Sequence, residues 1–271
     1  MAPWRPLLRV FTRAFNFQGC KNCFMDIKNA ARTLDLFEVF AKELRPMRLS
    51  DLAKALEAPV SSCYQLVRTL ERRGYIYALQ LKSYYPTKRL LRDALAIAEH
   101  DPLLNLLGPV LEELRDETGE SIVLGQQSQH QAVMLDVLES AHNIRFSGHP
   151  GAVRELHCSA IGKAMLGMMA SEERDKWLPA EPFPARTATT LTTRAALDAE
   201  LDIGRERGWY EVRGESVSEL QAIAAPVRFG GGMLAVCVAG PATRFALHQS
   251  AHVEALLRSV ARIEALQPAR Q

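Results

Sequence analysis

Apolar residues recur every three or four positions from residue 27 to about 100, then gather into short runs separated by turn residues, so helices give way to a mixed pattern. Between Ile27 and Ala41 the positions Ala30, Ala31, Leu34, Phe37, Val39 and Phe40 predict a helix with one apolar face, broken at Glu43-Leu-Arg-Pro46. Leu49-Ser-Asp-Leu-Ala-Lys-Ala-Leu56 predicts a second, short helix. Ser50 is its expected N-cap, Asp51 complements its dipole, and Leu52, Ala53 and Leu56 form its buried stripe. After the turn at Ala58-Pro59-Val60 a third helix is expected, capped by Ser61. Its residues Cys63, Leu66, Val67 and Leu70 fall at i, i+3, i+4 and i+7. Arg72-Arg73-Gly74 ends it, with the glycine in the left-handed conformation. Tyr75–Leu79 and Lys82–Pro86 predict two brief strands around a loop. Lys88–Glu99 predicts a further amphipathic helix, carrying Leu90, Leu91, Leu95 and Ile97 and stopped by His100-Asp-Pro102.

Beyond residue 101 the expected elements are a helix from Leu103 to Thr118 and strands at Ser121–Gln126, Ala132–Leu138 and Asn143–Ser147. Helices follow at Ser159–Met169 and Arg194–Arg207. Strands at Ala222–Phe229 and Met233–Ala239 flank Gly230-Gly-Gly232, and His248–Leu266 closes the chain as a helix. The fold class is therefore α+β: an N-terminal winged helix-turn-helix over 25–87, a linker helix over 88–100, and a domain over 101–271 with an antiparallel sheet flanked by helices. The exposed stripe of the linker helix needs a cover, and a second subunit is the expected one.

Two short helices joined by a tight turn, behind a supporting helix and ahead of a hairpin, are the organisation that places a helix in the DNA major groove. A generic three-helix cap on a larger domain is the alternative. The third helix decides for DNA, because Ser61, Ser62, Tyr64, Gln65, Arg68 and Thr69 project away from its apolar stripe. Gln and Arg make bidentate bonds to base edges, and Ser and Thr bond phosphate or base. Ser50 and the wing residue Lys82 complete the expected contacts, with Lys82 and Lys88 on phosphate. Charge agrees with this reading. Residues 25–100 hold 13 Lys/Arg against 9 Asp/Glu, whereas residues 101–271 hold 16 against 22, so the front is basic and the back acidic.

Residues 1–24 carry Arg5, Arg9, Arg13 and Lys21 and no acid; they are expected to be a disordered tail or a non-native start ahead of Met25. The five cysteines (20, 23, 63, 158 and 237) are odd in number and scattered, which argues against a disulfide framework and for a reducing, cytoplasmic setting. Cys20 and Cys23 have zinc-like spacing but no second pair, so no metal and no cofactor is expected. No apolar stretch approaches the ~20 residues of a membrane span. At Ser159 to Gly162 the free N–H groups of a helix start offer an anion site for a carboxylate. A nucleotide site is not expected there, because Ala164 follows Lys163 and His157 stands where a phosphate loop needs glycine.

Several longer motifs carry a resemblance. They are the stretch from Leu49 to Tyr75, Leu156-His-Cys-Ser-Ala-Ile-Gly-Lys-Ala-Met-Leu166 after Gly151, Arg207-Gly-Trp-Tyr210, Gly214-Glu215, Ile223-Ala-Ala-Pro-Val227 and Val236-Cys-Val-Ala-Gly-Pro241. From Ile27 onward the chain resembles the IclR-type transcription regulators. That resemblance implies a GAF-like effector domain at the back and binding of a palindromic double-stranded operator by a homodimer or homotetramer. It also implies control of a catabolic operon, by repression or activation, in response to a small organic acid. It places the effector cavity at His157, Ser159, Ala160, Ile161 and Gly162, at Val212 and Glu215, at Gln221 and Ala222, and at Cys237 and Ala239. Two departures matter: the wing has Ala78-Leu-Gln-Leu-Lys82 instead of an Asp/Gly-rich turn, and the cavity is more apolar than in members that sense small oxo acids. An apolar cavity suits an aromatic or medium-chain acid. Catalysis is not expected, since pairing Cys158 with His157, or Ser159 with Glu215, requires a meeting in space that sequence adjacency does not provide. An architectural DNA-binding protein with a merely dimerising back domain is the remaining alternative.

Overall fold

The computed structural model describes residues 27–128, 130–230 and 232–266, so the expectations for residues 1–24, including Cys20 and Cys23, lie outside the described part. The chain divides between His100 and Asp101 into two compact units.

The first unit comprises α1 (Lys28–Glu43), β1 (Met47–Arg48), α2 (Leu49–Ala55), α3 (Val60–Arg72), β2 (Ile76–Leu79), β3 (Ser83–Pro86) and α4 (Arg89–Glu99). Leu36, Phe40, Leu52, Val67, Leu70 and Ile76 are central to its core. On α1 the buried face runs through Leu36 and Phe40, while Leu34 is 66% exposed. Leu34 and Leu36 lie about 200° apart on a helix, so only one of them can face the core. The serine caps are also corrected. Arg48 and Pro59 are the N-caps of α2 and α3, neither with a side-chain cap bond. Their extended backbone already makes Leu49 and Val60 the first helical residues, which leaves Ser50 and Ser61 inside the first turn. The other end of α3 follows expectation: Gly74 (φ 75) lets its N–H reach Glu71 O at 2.9 Å and that of Tyr75 reach Leu70 O at 2.9 Å.

β2 and β3 pair antiparallel as the wing, and β1 adds a short third strand that no periodicity announced. The connecting turn Gln80–Lys82 ends with Lys82 at φ 57, the left-handed position that a glycine would fill without strain. The helix expected to be a linker is tied to this unit at its start. Arg89 Nη1 donates to Arg73 O at 2.6 Å, its guanidinium lies 4.9 Å from the Tyr75 ring centre, and Tyr75 Oη bonds Asp93 at 3.2 Å. Leu90, Leu91, Leu95 and Ile97 of α4 remain exposed.

The second unit comprises α5 (Pro102–Thr118), β4 (Ser121–Ser128), β5 (Gln131–Leu138), β6 (Val153–Glu155), α6 (Ala160–Gly167), α7 (Ser171–Arg174), α8 (Arg194–Arg207), β7 (Tyr210–Arg213), β8 (Leu220–Phe229), β9 (Gly232–Pro241) and α9 (Ala242–Ala265). Asp101 caps α5 by accepting from the N–H groups of Leu103 and Leu104, with Pro102 as the first helical residue. The six strands form one antiparallel sheet in the order β6-β5-β4-β9-β8-β7. Strand alternation divides its side chains between two layers. Val123, Ala224 and Ala235 pack under Met165, Leu166, Leu197 and Leu201 of α6 and α8. Ile122, Ile223 and Val236 pack under Leu111, Leu114, Leu256 and Ile263 of α5 and α9. Asn143–Ser147 is not a strand; Phe146 O instead accepts from Ser121 Oγ at 2.7 Å and Arg145 pairs with Glu139 at 2.7 Å, which fixes the segment by side chains. The third strand is β6, and β7 and α7 are additions. No described helix is long and apolar enough to cross a membrane.

Candidate functional sites

On α3, Cys63, Val67 and Leu70 point inward, while Ser61, Ser62, Tyr64, Gln65, Arg68 and Thr69 are all exposed. Ser50 on α2 and Lys82 in the wing are exposed as well. Three of these side chains are partly engaged: Arg68 pairs with Glu71 at 2.7 Å, Thr69 Oγ1 donates to Gln65 O at 2.8 Å within the helix, and Ser50 Oγ donates to Asp51 Oδ1 at 3.4 Å. Gln65 and Arg68 lie one turn apart on the same exposed face of α3. Arg48, which the sequence reading did not single out, is exposed on β1 opposite the wing residue Ser83.

In the second unit, α6 brings most of the expected effector residues together. All eight of its residues are buried. Ser159 caps it, accepting from Gly162 N–H at 3.2 Å and donating to Glu155 O at 2.6 Å, so its hydroxyl does not meet Glu215. Gly162 packs so closely on Leu156 that a Cβ there would overlap the Leu156 carbonyl. The N–H groups of Ala160 and Ile161 have no intrahelical acceptor, as in any first turn. Ala160 and Ile161 share one core layer with Val212, Ala222, Cys237 and Ala239, and cross-strand register aligns Val212, Ala222 and Ala239 in a row. Gln221 is not part of this group. It faces the α9 side, donating to Glu211 Oε1 at 2.7 Å and Gln249 Oε1 at 3.2 Å, because consecutive strand residues point to opposite faces.

Charge is buried beside this wall. Lys163 Nζ meets Glu215 Oε1 at 2.6 Å and Glu211 O at 3.2 Å, with the side chains of Lys163 and Glu215 only 1% and 9% exposed. Burial pushes the Glu215 carboxyl above the usual carboxylate range, and the Lys163 ammonium offsets part of that rise. Glu215 Oε2 is buried with no hydrogen-bond partner among the described residues. His157 Nε2 lies 3.0 Å from Pro184 O and its ring packs on Phe183, while its Nδ1 is buried with no hydrogen-bond partner among the described residues. Burial also depresses the His157 pKa. Cys158 Sγ donates to Glu155 Oε2 at 3.5 Å, and burial with the neighbouring Glu155 pushes its thiol up to about 12. A thiol so far from ionising is no nucleophile near neutral pH. Surface hollows of about 450 Å³ and 640 Å³ lie elsewhere, one beside Arg174 and Arg205, the other beside Trp209 and Leu247.

Known proteins place these observations. The model of the bacterial transcriptional regulator IclR C-terminal domain matches residues 95–264, and the IclR helix-turn-helix domain matches residues 30–79. The transcriptional repressor IclR of Escherichia coli K12 is 26% identical over 223 residues, 80% of this chain and 81% of that one. Among solved structures, the Thermotoga maritima IclR is similar with a TM-score of 0.70 and 20% identity, over 89% of this chain and 98% of that one. An IclR homolog from Microbacterium hydrocarbonoxydans, complexed with 4-hydroxybenzoate, also has a TM-score of 0.70, with 21% identity over 88% and 98% of the two chains. The curated relatives are transcriptional regulators, not enzymes.

Proposed function

Starting from the chain's membership of the IclR family of DNA-binding transcription regulators, whose C-terminal domain binds effectors, we propose that it controls a catabolic operon by binding a palindromic operator as a dimer or dimer of dimers. The exposed row Gln65 and Arg68 on α3 reads bases, Ser50, Ser61, Ser62, Tyr64 and Thr69 support it, and Lys82 and Arg48 hold phosphate. The exposed apolar residues of α4 are the surface a second copy covers.

The effector is a carboxylic acid with an apolar, aromatic body, and its site is the α6 start with the adjoining layer. The observation that carries this is the wall of Val212, Ala222, Cys237 and Ala239, which offers an incoming molecule almost no side-chain hydrogen bonds. A small, very polar ligand there would leave its own groups unpaired, at ~1–3 kcal/mol each. The N–H groups of Ala160 and Ile161 are suited to the carboxylate. The 4-hydroxybenzoate in the Microbacterium relative's structure is a ligand of this kind. The lining residues are buried here, so the acid selects a more open arrangement. Thermal unfolding with benzoate-like and phenylalkanoate-like acids should show a raised Tm. Stabilisation by pyruvate-like acids alone would overturn the assignment.

A further inference from the structure

Glu155, His157 and Cys158 lie on the short stretch that leads from β6 into α6. A carboxylate oxygen, a ring nitrogen and the sulfur of these three fall within 4.8 Å of one another. We propose that they form a binding site for a divalent transition metal of the zinc class, a site that shares His157 with the expected effector cavity but does not rest on what the effector is. The donor set selects the metal: thiolate with imidazole suits zinc, cobalt or nickel, and not the oxygen-seeking magnesium or calcium.

The histidine is set for the task. Pro184 O, 3.0 Å from Nε2, can only accept, so Nε2 carries the ring proton and Nδ1 keeps its lone pair. That lone pair is buried with no partner among the described residues, on a side chain 1% exposed. Metal-ligating histidines are commonly fixed in this way, with the second nitrogen donating to a backbone carbonyl. The backbone is equally constrained, because Ser159 Oγ ties the turn to Glu155 O and to Gly162 N–H. Three atoms so spaced always leave some point no farther than about 2.8 Å from any of them, so a shift of less than ~1 Å per donor reaches the ~2.0–2.3 Å bonds zinc makes.

The Glu155 carboxylate is already engaged. Arg186 holds both oxygens of Glu155, at 2.6 and 2.7 Å, and the Cys158 thiol points at one of them. Binding then proceeds by exchange. The Cys158 S–H bond breaks as the sulfur–metal bond forms and its proton leaves to solvent. Arg186 releases Glu155, and His157 contributes the lone pair it already has. Thiolate and carboxylate together balance the dication. Three protein ligands leave a coordination position open. One proton is released per metal, so affinity rises with pH.

Cobalt titration of the full chain, with Cys20→Ser and Cys23→Ser removing the other cysteine pair, tests the site. The expected result is one Co2+ per chain, a sulfur-to-cobalt charge-transfer band, strong visible bands of a four-coordinate ion, and displacement by Zn2+. Cys158→Ser should abolish the sulfur band and weaken binding by more than about tenfold. Arg186→Gln, which frees Glu155, should tighten binding by up to about fivefold, a gain that misfolding cannot imitate. No sulfur band in the folded Cys20→Ser/Cys23→Ser chain, or a band unchanged by Cys158→Ser, overturns the proposal.

Discussion

Gly162 sits where helix α6 crosses the backbone of Leu156, and backbone cannot yield as a side-chain tip can. Gly162→Ala should therefore destabilise the second unit by ~1–3 kcal/mol, the usual cost of forcing a methyl into a packed site. Denaturant unfolding measures it, and an unchanged midpoint would mean that the α6 start can slide. A second residue acts through protonation. His252 is buried against Phe245, with Glu120, Arg244 and His248 around it, and burial depresses its pKa below 6.5. The folded state thus favours the neutral ring. Its contribution is complete above pH 6.5 and is lost as pH falls through the folded pKa, at no more than ~1.4 kcal/mol per pH unit. His252→Leu should shrink the fall in Tm between pH 7 and pH 5, and an equal fall in both proteins would locate the acid sensitivity elsewhere.

At the scale of elements, α3 and the wing should divide the work of binding DNA. Gln65→Ala and Arg68→Ala should each cost ~1–3 kcal/mol on the cognate operator and relax specificity at one position. The Arg68–Glu71 pair hardly competes, since half-exposed pairs contribute only ~0–1 kcal/mol. Lys82→Gly should separate folding from binding. A left-handed lysine carries ~1–2 kcal/mol of strain that glycine lacks, so the variant should unfold no earlier. Its affinity for cognate and scrambled duplexes should fall alike, with the salt slope reduced by about one. Gel shifts showing Lys82 as the sequence-selective residue, and Gln65 as the indifferent one, would reverse the assignment. These elements were legible because helical periodicity over a dozen residues is a strong signal, as in α3 and α8. β1 was not, because two residues carry no period, and β7 was passed over although Tyr210-Glu-Val-Arg213 alternates apolar and polar residues. The effector wall was half legible. Residues 221 and 222 could never share a sheet face, yet both were expected in the cavity, and only the structure shows that Ala222 lies in the α6 layer and Gln221 on the α9 side. The Lys163–Glu215 pair, 52 positions apart, left no local trace at all.

For the whole molecule, the basic front and acidic back suit two tasks that must be energetically linked if the chain is to respond to its effector. DNA affinity should fall linearly on a double-logarithmic plot against salt, since each neutralised phosphate releases counterions. Acid binding in the second unit, involving a buried and largely apolar site, should be nearly indifferent to salt. That contrast makes the coupling measurable. An acid can shift the first units on a dimer only if it binds one arrangement more tightly than another. Linkage then requires the operator to change acid affinity by the same factor as the acid changes operator affinity, typically about 5- to 150-fold. Calorimetric titration of the acid into the free protein, and into the protein saturated with operator at fixed salt, gives one factor; operator titration with and without acid gives the other. The two are expected to agree. Equal acid affinities with and without operator would mean that the acid leaves the DNA-binding equilibrium untouched, and the second unit would then serve to assemble the dimer and not to control it.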